Sequence, residues 1–245
     1  MKYAIIAAGE GSRLAQEGIS CPKALTNICG KPVVERLIEI FIRNEAEEIV
    51  IIINAHNPQT QEYLNQLIER ENRVPIRLII KSTPSSMHSF YELSSYLQDS
   101  PFCLTTVDTI FKEEEFRQFI QAFKSSKDID GLMAVTDYID DEKPLFINTD
   151  SHLNITAFLD KADDTTKYIS GGIYALTPCC IDTLHRCIQQ NVSRMRNFQR
   201  ELIADHRRLK AHVFSKILDV DHAEDIHKAE EFLRQQLFSF YIITQ

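Results

Sequence analysis

The sequence predicts an α/β protein, a three-layer αβα architecture built on a mostly parallel, mixed sheet. Three observations carry that prediction. Short continuous apolar runs recur at Lys2–Ala8, Glu48–Asn54, Ile76–Lys81, Phe102–Val107 and Gly131–Thr136. Unbroken runs of this length mark strands covered on both faces. Between them lie segments of helical period: Val33–Asn44 (with Val34, Leu37, Ile38 and Phe41 on one stripe), Pro58–Glu71, Met87–Leu97 and Lys112–Ser125. Alternation of this kind is the pattern of a parallel sheet with helices on both faces. The third observation is local: four of the seven glycines, Gly9, Gly11, Gly18 and Gly30, fall within the first 30 of 245 residues.

The second half of the chain differs. Leu145–Asn148, His152–Leu159 and Gly172–Ala175 read as shorter strands joined by turns, a small extension of the main sheet. Helices at Pro178–Gln189 and Arg196–Ile203, a strand at Ala211–Phe214 and a helix near Ala223–Gln236 follow. No repeat, linker or low-complexity stretch divides the chain, so a single domain over residues 1–245 is expected. The apolar tail Phe238–Ile243 is expected to pack on the body, or to form a homodimer contact.

Composition narrows the classes. A hydrophobic content of 44% is ample for a core, and no stretch approaches the roughly 18 apolar residues of a membrane span. The first residues lack a charged-then-apolar leader pattern, so a cytoplasmic location and no membrane partner are expected. The net charge of −8 argues against a general nucleic-acid binder, which leaves local positive charge as the quantity that matters. The six cysteines form no C-x-x-C pair, and Cys179, Cys180 and Cys187 beside His185 are expected to be ordinary thiols near a helix start.

The first 25 residues concentrate the chemistry. An apolar strand, Tyr3-Ala-Ile-Ile-Ala-Ala8, runs straight into Gly9-Glu-Gly-Ser-Arg13, and Cys21-Pro-Lys-Ala-Leu25 follows. Glycines after a strand let the backbone approach a ligand closely, and exposed N–H groups there can cradle phosphate oxygens. Arg13 and Lys23 add fixed positive charge. A dinucleotide fingerprint does not fit, because Leu14 stands where the third glycine belongs and the second strand ends in Asn54-Ala-His56 without an acid. A Walker loop does not fit either, since no Gly-Lys-Ser/Thr follows.

Taken together, Ala7-Ala8-Gly9-Glu10-Gly11-Ser12-Arg13, Pro22-Lys23-Ala24-Leu25 and Gly30-Lys31-Pro32 resemble the A-A-G-x-G-x-R, P-K-x-L and G-K-P signatures of the sugar-nucleotide pyrophosphorylase family of nucleotidyltransferases. The resemblance covers nearly the whole chain. It implies a Rossmann-like three-layer αβα fold, with residues 1–135 as the nucleotide half and 136–245 as the acceptor half. It implies attack of an acceptor phosphate on the α-phosphorus of an NTP, with pyrophosphate leaving and Mg²⁺ as cofactor. Arg13 and Lys23 are the implied catalytic cations. Ala7, Ala8, Gly9, Gly11, Ser12, Ser85 and Ser86 are the implied nucleotide contacts. Asp108, at the end of the strand Cys103-Leu-Thr-Thr-Val, is the implied first Mg²⁺ ligand, in keeping with that ion's taste for carboxylate oxygen. Asp219-Val-Asp221-His-Ala-Glu-Asp225 resembles the family's D-V-D-T-x-E-D, which makes Asp221 the second implied ligand and Asp219 the alternative; alternation puts both on one side of a strand. Asp225 is expected to be structural, in a helix's first turn.

Two further segments resemble acceptor-site parts: Phe158-Leu-Asp160-Lys161, with Lys161 toward the acceptor phosphate, and Ser170-Gly-Gly172-Ile-Tyr174, facing a sugar. The implied partners are therefore an NTP and a sugar 1-phosphate. One departure points elsewhere. Ser82-Thr-Pro-Ser-Ser-Met-His-Ser89 stands where pyrophosphorylases carry a glycine-rich G-G-T-A, and it resembles choline-phosphate cytidylyltransferases of the same fold. Phosphocholine, or a similar phospho-alcohol, is the alternative acceptor. A glycosyltransferase would want D-x-D at the strand end, where this chain has Asp108-Thr-Ile110, and a nucleotide sensor would have no need of the whole charged set. The run Arg194, Arg196, Arg200, Arg207 and Arg208 reads as solvated helix faces balanced by acidic neighbours.

Overall fold

The computed structural model describes residues 1–140 and 142–243, with side chains described through Gln235. In chain order, strand β1 (Lys2–Ala7) leads through the glycine loop to the one-turn helix α1 (Ser12–Gln16) and a 3₁₀ turn at Lys23–Leu25. The hairpin β2 (Asn27–Ile28) and β3 (Lys31–Pro32) follows, then α2 (Val33–Arg43), β4 (Ile49–Ile53), α3 (Pro58–Arg70), β5 (Ile76–Ile80) and α4 (Ser86–Ser94). Next come β6 (Phe102–Thr106), β7 (Thr109–Ile110), α5 (Glu113–Ser125), β8 (Gly131–Thr136), β9 (Phe146–Thr149), β10 (Ile155–Leu159) and β11 (Tyr168–Leu176). The chain continues through α6 (Cys179–Gln189), α7 (Met195–Ala204), β12 (Leu209–Val213), β13 (Leu218–Asp219) and α8 (Ala223–Ile243). The side chains of the apolar tail Phe238–Ile243 lie outside the described residues.

Nine strands make one sheet, ordered β10-β9-β11-β6-β1-β4-β5, with β8 and β12 added beside β11. Its centre, β6-β1-β4-β5, is parallel. The unbroken apolar runs predicted this, because both faces of these strands are covered. Odd residues of β1 (Tyr3, Ile5, Ala7) join one core with α2, α3, α5 and α8. Even residues (Ala4, Ile6) join a second core with α4, α6 and α7. On the first face, Tyr3, Phe41, Phe116 and Phe111 stack in series, with neighbouring ring centroids 4.5–5.6 Å apart. Cys180 and Cys187 pack as buried thiols in the second core.

Strand β11 reverses direction against β6 and forms the hub of the second half. One edge takes β8; the other takes β6 along residues 173–176 and β9 at Tyr168 and Ile169. A register shift lies between Ser170 and Tyr174, which sends the strand's first residues and its last ones to different surroundings. The expected strand at Gly172–Ala175 is thus longer at both ends. The two-residue strands β2, β3 and β7 add to the expected elements, and the strand expected to carry both Asp219 and Asp221 is the two-residue β13, which ends at Asp219 and leaves Asp221 in the turn before α8. Two of them, β7 and β13, pair antiparallel and bring Asp219 opposite Thr109, beside Asp108.

Candidate active site

The site lies at the C-terminal ends of β1, β4 and β6, where open α/β sheets bind ligands. β1 ends at Ala7, which is buried within the strand, and the backbone then turns out through Ala8 and Gly9. A Cβ on Gly9 would meet no protein atom within 4 Å. Nothing in the fold demands glycine there; the bare backbone faces an open cavity. Gly11 is different. It sits at φ +63°, a left-handed conformation that other residues adopt only with strain, and its Cβ position is 3.1 Å from the Cβ of Lys23. The loop and the Pro22–Leu25 turn are therefore pressed together. Leu14, 1% exposed, anchors α1 and turns Arg13 the other way, half exposed. Ala24 is buried, and Pro22 O accepts from Leu25 N at 2.8 Å, which fixes the turn that carries Lys23.

The cations and carboxylates predicted for the site converge. Lys23 Nζ donates to both Asp108 Oδ2 and Asp221 Oδ1. Arg13 Nη1 donates to the other Asp221 oxygen at 2.8 Å. Lys23 and Asp108 are 13% and 17% exposed, so the bridge is mostly shielded from water. Burial pulls the Lys23 ammonium down, but Asp108 and Asp221 outweigh it and hold the group firmly protonated. Burial pushes the Asp108 carboxyl up; the Lys23 charge and hydrogen bond, with help from Thr106, carry it below its ordinary value. The second oxygen of Asp108 is buried and has no hydrogen-bond partner.

Two cavities meet at this cluster. One, of 640 Å³, is lined by Ala8, Gly9, Gly11, Ser12, Lys23 and Asp108 on one side and by Ser82–Ser86 on the other. The second, of 540 Å³, is lined by Arg13, Asp219, Asp221, Ser170 and Gly171, with Thr136, Tyr138 and the start of α8. Lys23 and Asp108 thus face the first cavity, Arg13 and Asp221 face the second, and the Lys23–Asp221 bond joins the two. Asp225 Oδ2 accepts from the Asp221 and His222 N–H groups at 3.1 and 2.8 Å, the structural place expected of it. Glu17, at the end of α1, accepts from Ala223 N at 2.7 Å and sits 2.6 Å from His222 Nδ1. It ties the glycine loop to the segment that carries Asp221.

The serine-rich turn closes the first cavity through hydroxyls. Ser85 Oγ lies 2.9 Å from His88 Nδ1, and Thr83 Oγ1 lies 2.6 Å from Ser89 Oγ. Asn54, which in the sequence marks only the absence of an acid after the second strand, organises this wall. It is 6% exposed, donates to Ala8 O at 3.2 Å, and accepts from Ser82 Oγ and His56 N at 2.7 and 2.9 Å. Its place at the end of the second parallel strand was the available signal.

Some expected contacts fall elsewhere. Tyr174, 6% exposed, packs in the second core and accepts from Gln199 Nε2 at 3.5 Å; it lines neither cavity. Burial, with the charges of Asp219 and Asp108, pushes its hydroxyl up to about 12. Gly172 also misses the cavity. It sits at φ +71° with its Cβ position 3.2 and 3.3 Å from the Thr109 and Thr106 hydroxyls, so it seats β11 on the turn beneath Asp108. The register shift in β11 accounts for both placements, since it hands the cavity wall to Ser170 and Gly171. Lys161 lies in an exposed turn outside both linings, and the neighbouring Asp160 is held by Arg196 and Arg200 at 2.8 Å each. Arg208 likewise pairs with Asp130.

The donor set fits a hard divalent cation. Two carboxylates converge on one point, and one of them offers an unpartnered buried oxygen. Among the described residues no cluster of three acids, histidines or cysteines could hold a metal alone, so waters and substrate phosphates would complete the shell, as is usual for Mg²⁺.

Comparison with known proteins assigns the chain to a class. Residues 2–236 match the model of the nucleotidyl transferase family, and the chain belongs to that family. Among curated relatives it is 25% identical over 184 residues to a mannose-1-phosphate guanyltransferase of Hypocrea jecorina, covering 73% of this chain and 50% of that protein. The chain spans about half the length of the relative. It is 23% identical over 262 residues to the choline-phosphate cytidylyltransferase of Streptococcus pneumoniae, covering 96% of this chain and 100% of the other. Among solved structures, the inositol-1-phosphate CTP transferase of T. maritima superposes with a TM-score of 0.76 at 16% identity, covering 94% of each chain, a likeness of fold. Among the described residues no helix is long and apolar enough to cross a membrane.

Proposed function

We propose that this chain transfers a nucleoside monophosphate from an NTP to the phosphate of a small phosphorylated acceptor, a sugar 1-phosphate, with release of pyrophosphate. The observation that carries the reading is the joining of the two cavities through Lys23 and Asp221, with a glycine loop on one side only. The NTP occupies the cavity of the glycine loop. The Gly11 and Ser12 amides bind the β- and γ-phosphates, with Arg13 reaching them from its place at the Asp221 junction; Lys23 neutralises charge developing at the α-phosphate, and Asn54 holds the base-side turn of Ser82–Ser86 against the loop. The acceptor enters the second cavity with its phosphate toward the Lys23–Asp221 junction. That phosphate is already ionised near neutral pH, so no general base is required. Catalysis is positioning and charge neutralisation in a partly desolvated site. Asp108 and Asp221 would hold Mg²⁺, with Asp219 on the same wall; the ion supplies additional charge neutralisation to the phosphate oxygens.

A second acceptor class is favoured by one specific feature. The wall of the second cavity carries Glu17, Asp140, Glu142, Asp219, Asp221, Glu224 and Asp225 against Arg13 and Lys228. Tyr138 also lines it and has the Lys216 ammonium 4.0 Å from its ring centroid, a cation–π contact. Such a wall suits an acceptor with a positive charge remote from its phosphate, and phosphocholine is the simplest example.

The deciding experiment measures pyrophosphate release, with Mg²⁺, from each of the four NTPs against a panel of sugar 1-phosphates plus phosphocholine. Release with one sugar 1-phosphate is the expected result and names both substrates. Release with CTP and phosphocholine alone selects the second class. Silence across the panel, with NTP binding intact, removes both acceptor assignments.

A further inference from the structure

We infer that Lys23 is the built-in counter-ion of the metal site: its ammonium fills the cleft between Asp108 and Asp221, and a divalent cation enters only as Lys23 leaves for the substrate phosphates. The inference rests on the reading of these two aspartates as metal ligands. It adds that cation binding and nucleotide binding are one coupled exchange of ion pairs.

The geometry is that of mutually exclusive occupants. Lys23 donates to one oxygen of each carboxylate, and Arg13 takes the remaining oxygen of Asp221 at 2.8 Å. Lys23 and Arg13 thus set two cations directly against the two carboxylates. An ammonium and a divalent ion cannot share the gap between the same two carboxylates, because like charges would be in contact where little water screens them. Asp108 sits on a short side chain in the tight turn between β6 and β7, whereas Lys23 has a four-carbon stem. Lys23 is therefore the partner that moves. Its root is fixed by the close packing against Gly11, so the ammonium swings about a set point toward the phosphate-binding loop, which lines the same cavity. The buried, unpartnered Asp108 Oδ1 leaves a carboxylate oxygen for the incoming cation as the ammonium withdraws.

The consequence is reciprocal. A cation alone must expel Lys23 into a place without counter-charge. Phosphates alone would strip the cations from Asp108 and Asp221 and leave two carboxylates facing one another. Each ligand supplies what the other displaces, so each raises the affinity for the other.

The test uses Mn²⁺ as the probe, with the free ion counted by electron paramagnetic resonance, on the full chain without nucleotide. Lys23→Gln and Lys23→Met both remove the charge, and two variants guard against one failing to fold. The expected result is Mn²⁺ affinity about tenfold or more above wild type in either folded variant, lost again when Asp108→Asn is added. Equal or weaker affinity in both variants, while Asp108→Asn still weakens wild-type binding, overturns the exchange and leaves the metal assignment standing. Mn²⁺ binding that is indifferent to Asp108→Asn in every background, with or without a non-hydrolysable NTP, overturns the metal assignment and the exchange together.

Discussion

Lys23 and Arg13 show how burial divides the labour between two similar cations. Lys23 is shielded and bonded to both aspartates, whereas Arg13 is half exposed and holds one. An exposed pair contributes little to stability, so Arg13 is placed there for its ligand. Replacing Arg13 by Ala is expected to raise the KM for NTP with little change in melting temperature. Lys23→Ala removes a donor aimed at charge that develops during transfer, and the expected loss is about 10²–10³ in kcat. The same variant leaves the Asp108 carboxylate without its main counter-charge, so it should also melt earlier than wild type. Steady-state pyrophosphate release at saturating substrates and a thermal melt check both. Near-wild-type kcat in Lys23→Ala would end its assignment. The identity of these two residues was legible from the N-terminal motif. Their mutual bonding was not, because Lys23 and Asp221 are 198 residues apart and only the closed fold brings them together.

Strand β11 shows what sequence alternation leaves out. The resemblance of Ser170-Gly-Gly172-Ile-Tyr174 implies that Gly172 and Tyr174 face the acceptor, yet a single register shift hands that side to Ser170 and Gly171. A bulge changes which residues face the cavity without changing composition, so nothing in the residue pattern announces it. The central strands were readable for the opposite reason: buried on both faces, they tolerate only apolar residues and need no phase. The two-residue strands β7 and β13 are too short to show any period. The crowding around β11 yields a prediction. A Cβ at Gly171 would lie 2.2 Å from Ile217 Cδ1 and 3.2 Å from Ala134 O. Ile217, 6% exposed, immediately precedes β13, which carries Asp219. Gly171→Ala therefore forces Ile217 aside and is expected to cost about 1–3 kcal/mol as an overpacking change. Urea unfolding measures that cost. The acceptor KM should rise more than the NTP KM, since the glycine-loop cavity does not touch this wall. Unchanged stability would show that Ile217 simply rotates away.

At the scale of the whole molecule, a net charge of −8 is kept in a folded chain by cations set against particular carboxylates. Asp205 and Asp130 illustrate it away from the site. Burial pushes the Asp205 carboxyl up, but hydrogen bonds from Arg186 and Thr183 at 2.6 Å each bring it below its ordinary value, which locks α6 to α7. Burial likewise raises Asp130, and the Arg208 backbone N–H at 2.8 Å with its guanidinium lowers it, which fixes the start of β8 beside β12. Asp108 follows the same rule through Lys23. A carboxyl lowered in the folded chain contributes stability that is complete above its ordinary value of 3.8 and lost as the pH falls through the folded value. Two histidines act nearer neutrality with opposite signs. Burial lowers His212, so stability declines as the pH falls below 6.5, where the unfolded chain is protonated first. The Glu17 hydrogen bond raises His222, so the folded chain is protonated first and stability grows over the neighbouring interval. These two contributions oppose one another, and the steep loss belongs to the aspartates. The melting temperature is therefore expected to change little between about pH 5 and 8 and to fall sharply below about pH 4. In Asp205→Asn, where the residue at 205 no longer titrates, the acid fall should be shallower from a lower starting value. Thermal melts across that range decide it: an acid slope in Asp205→Asn equal to that of wild type would mean that the α6–α7 carboxylate has no part in the acid sensitivity.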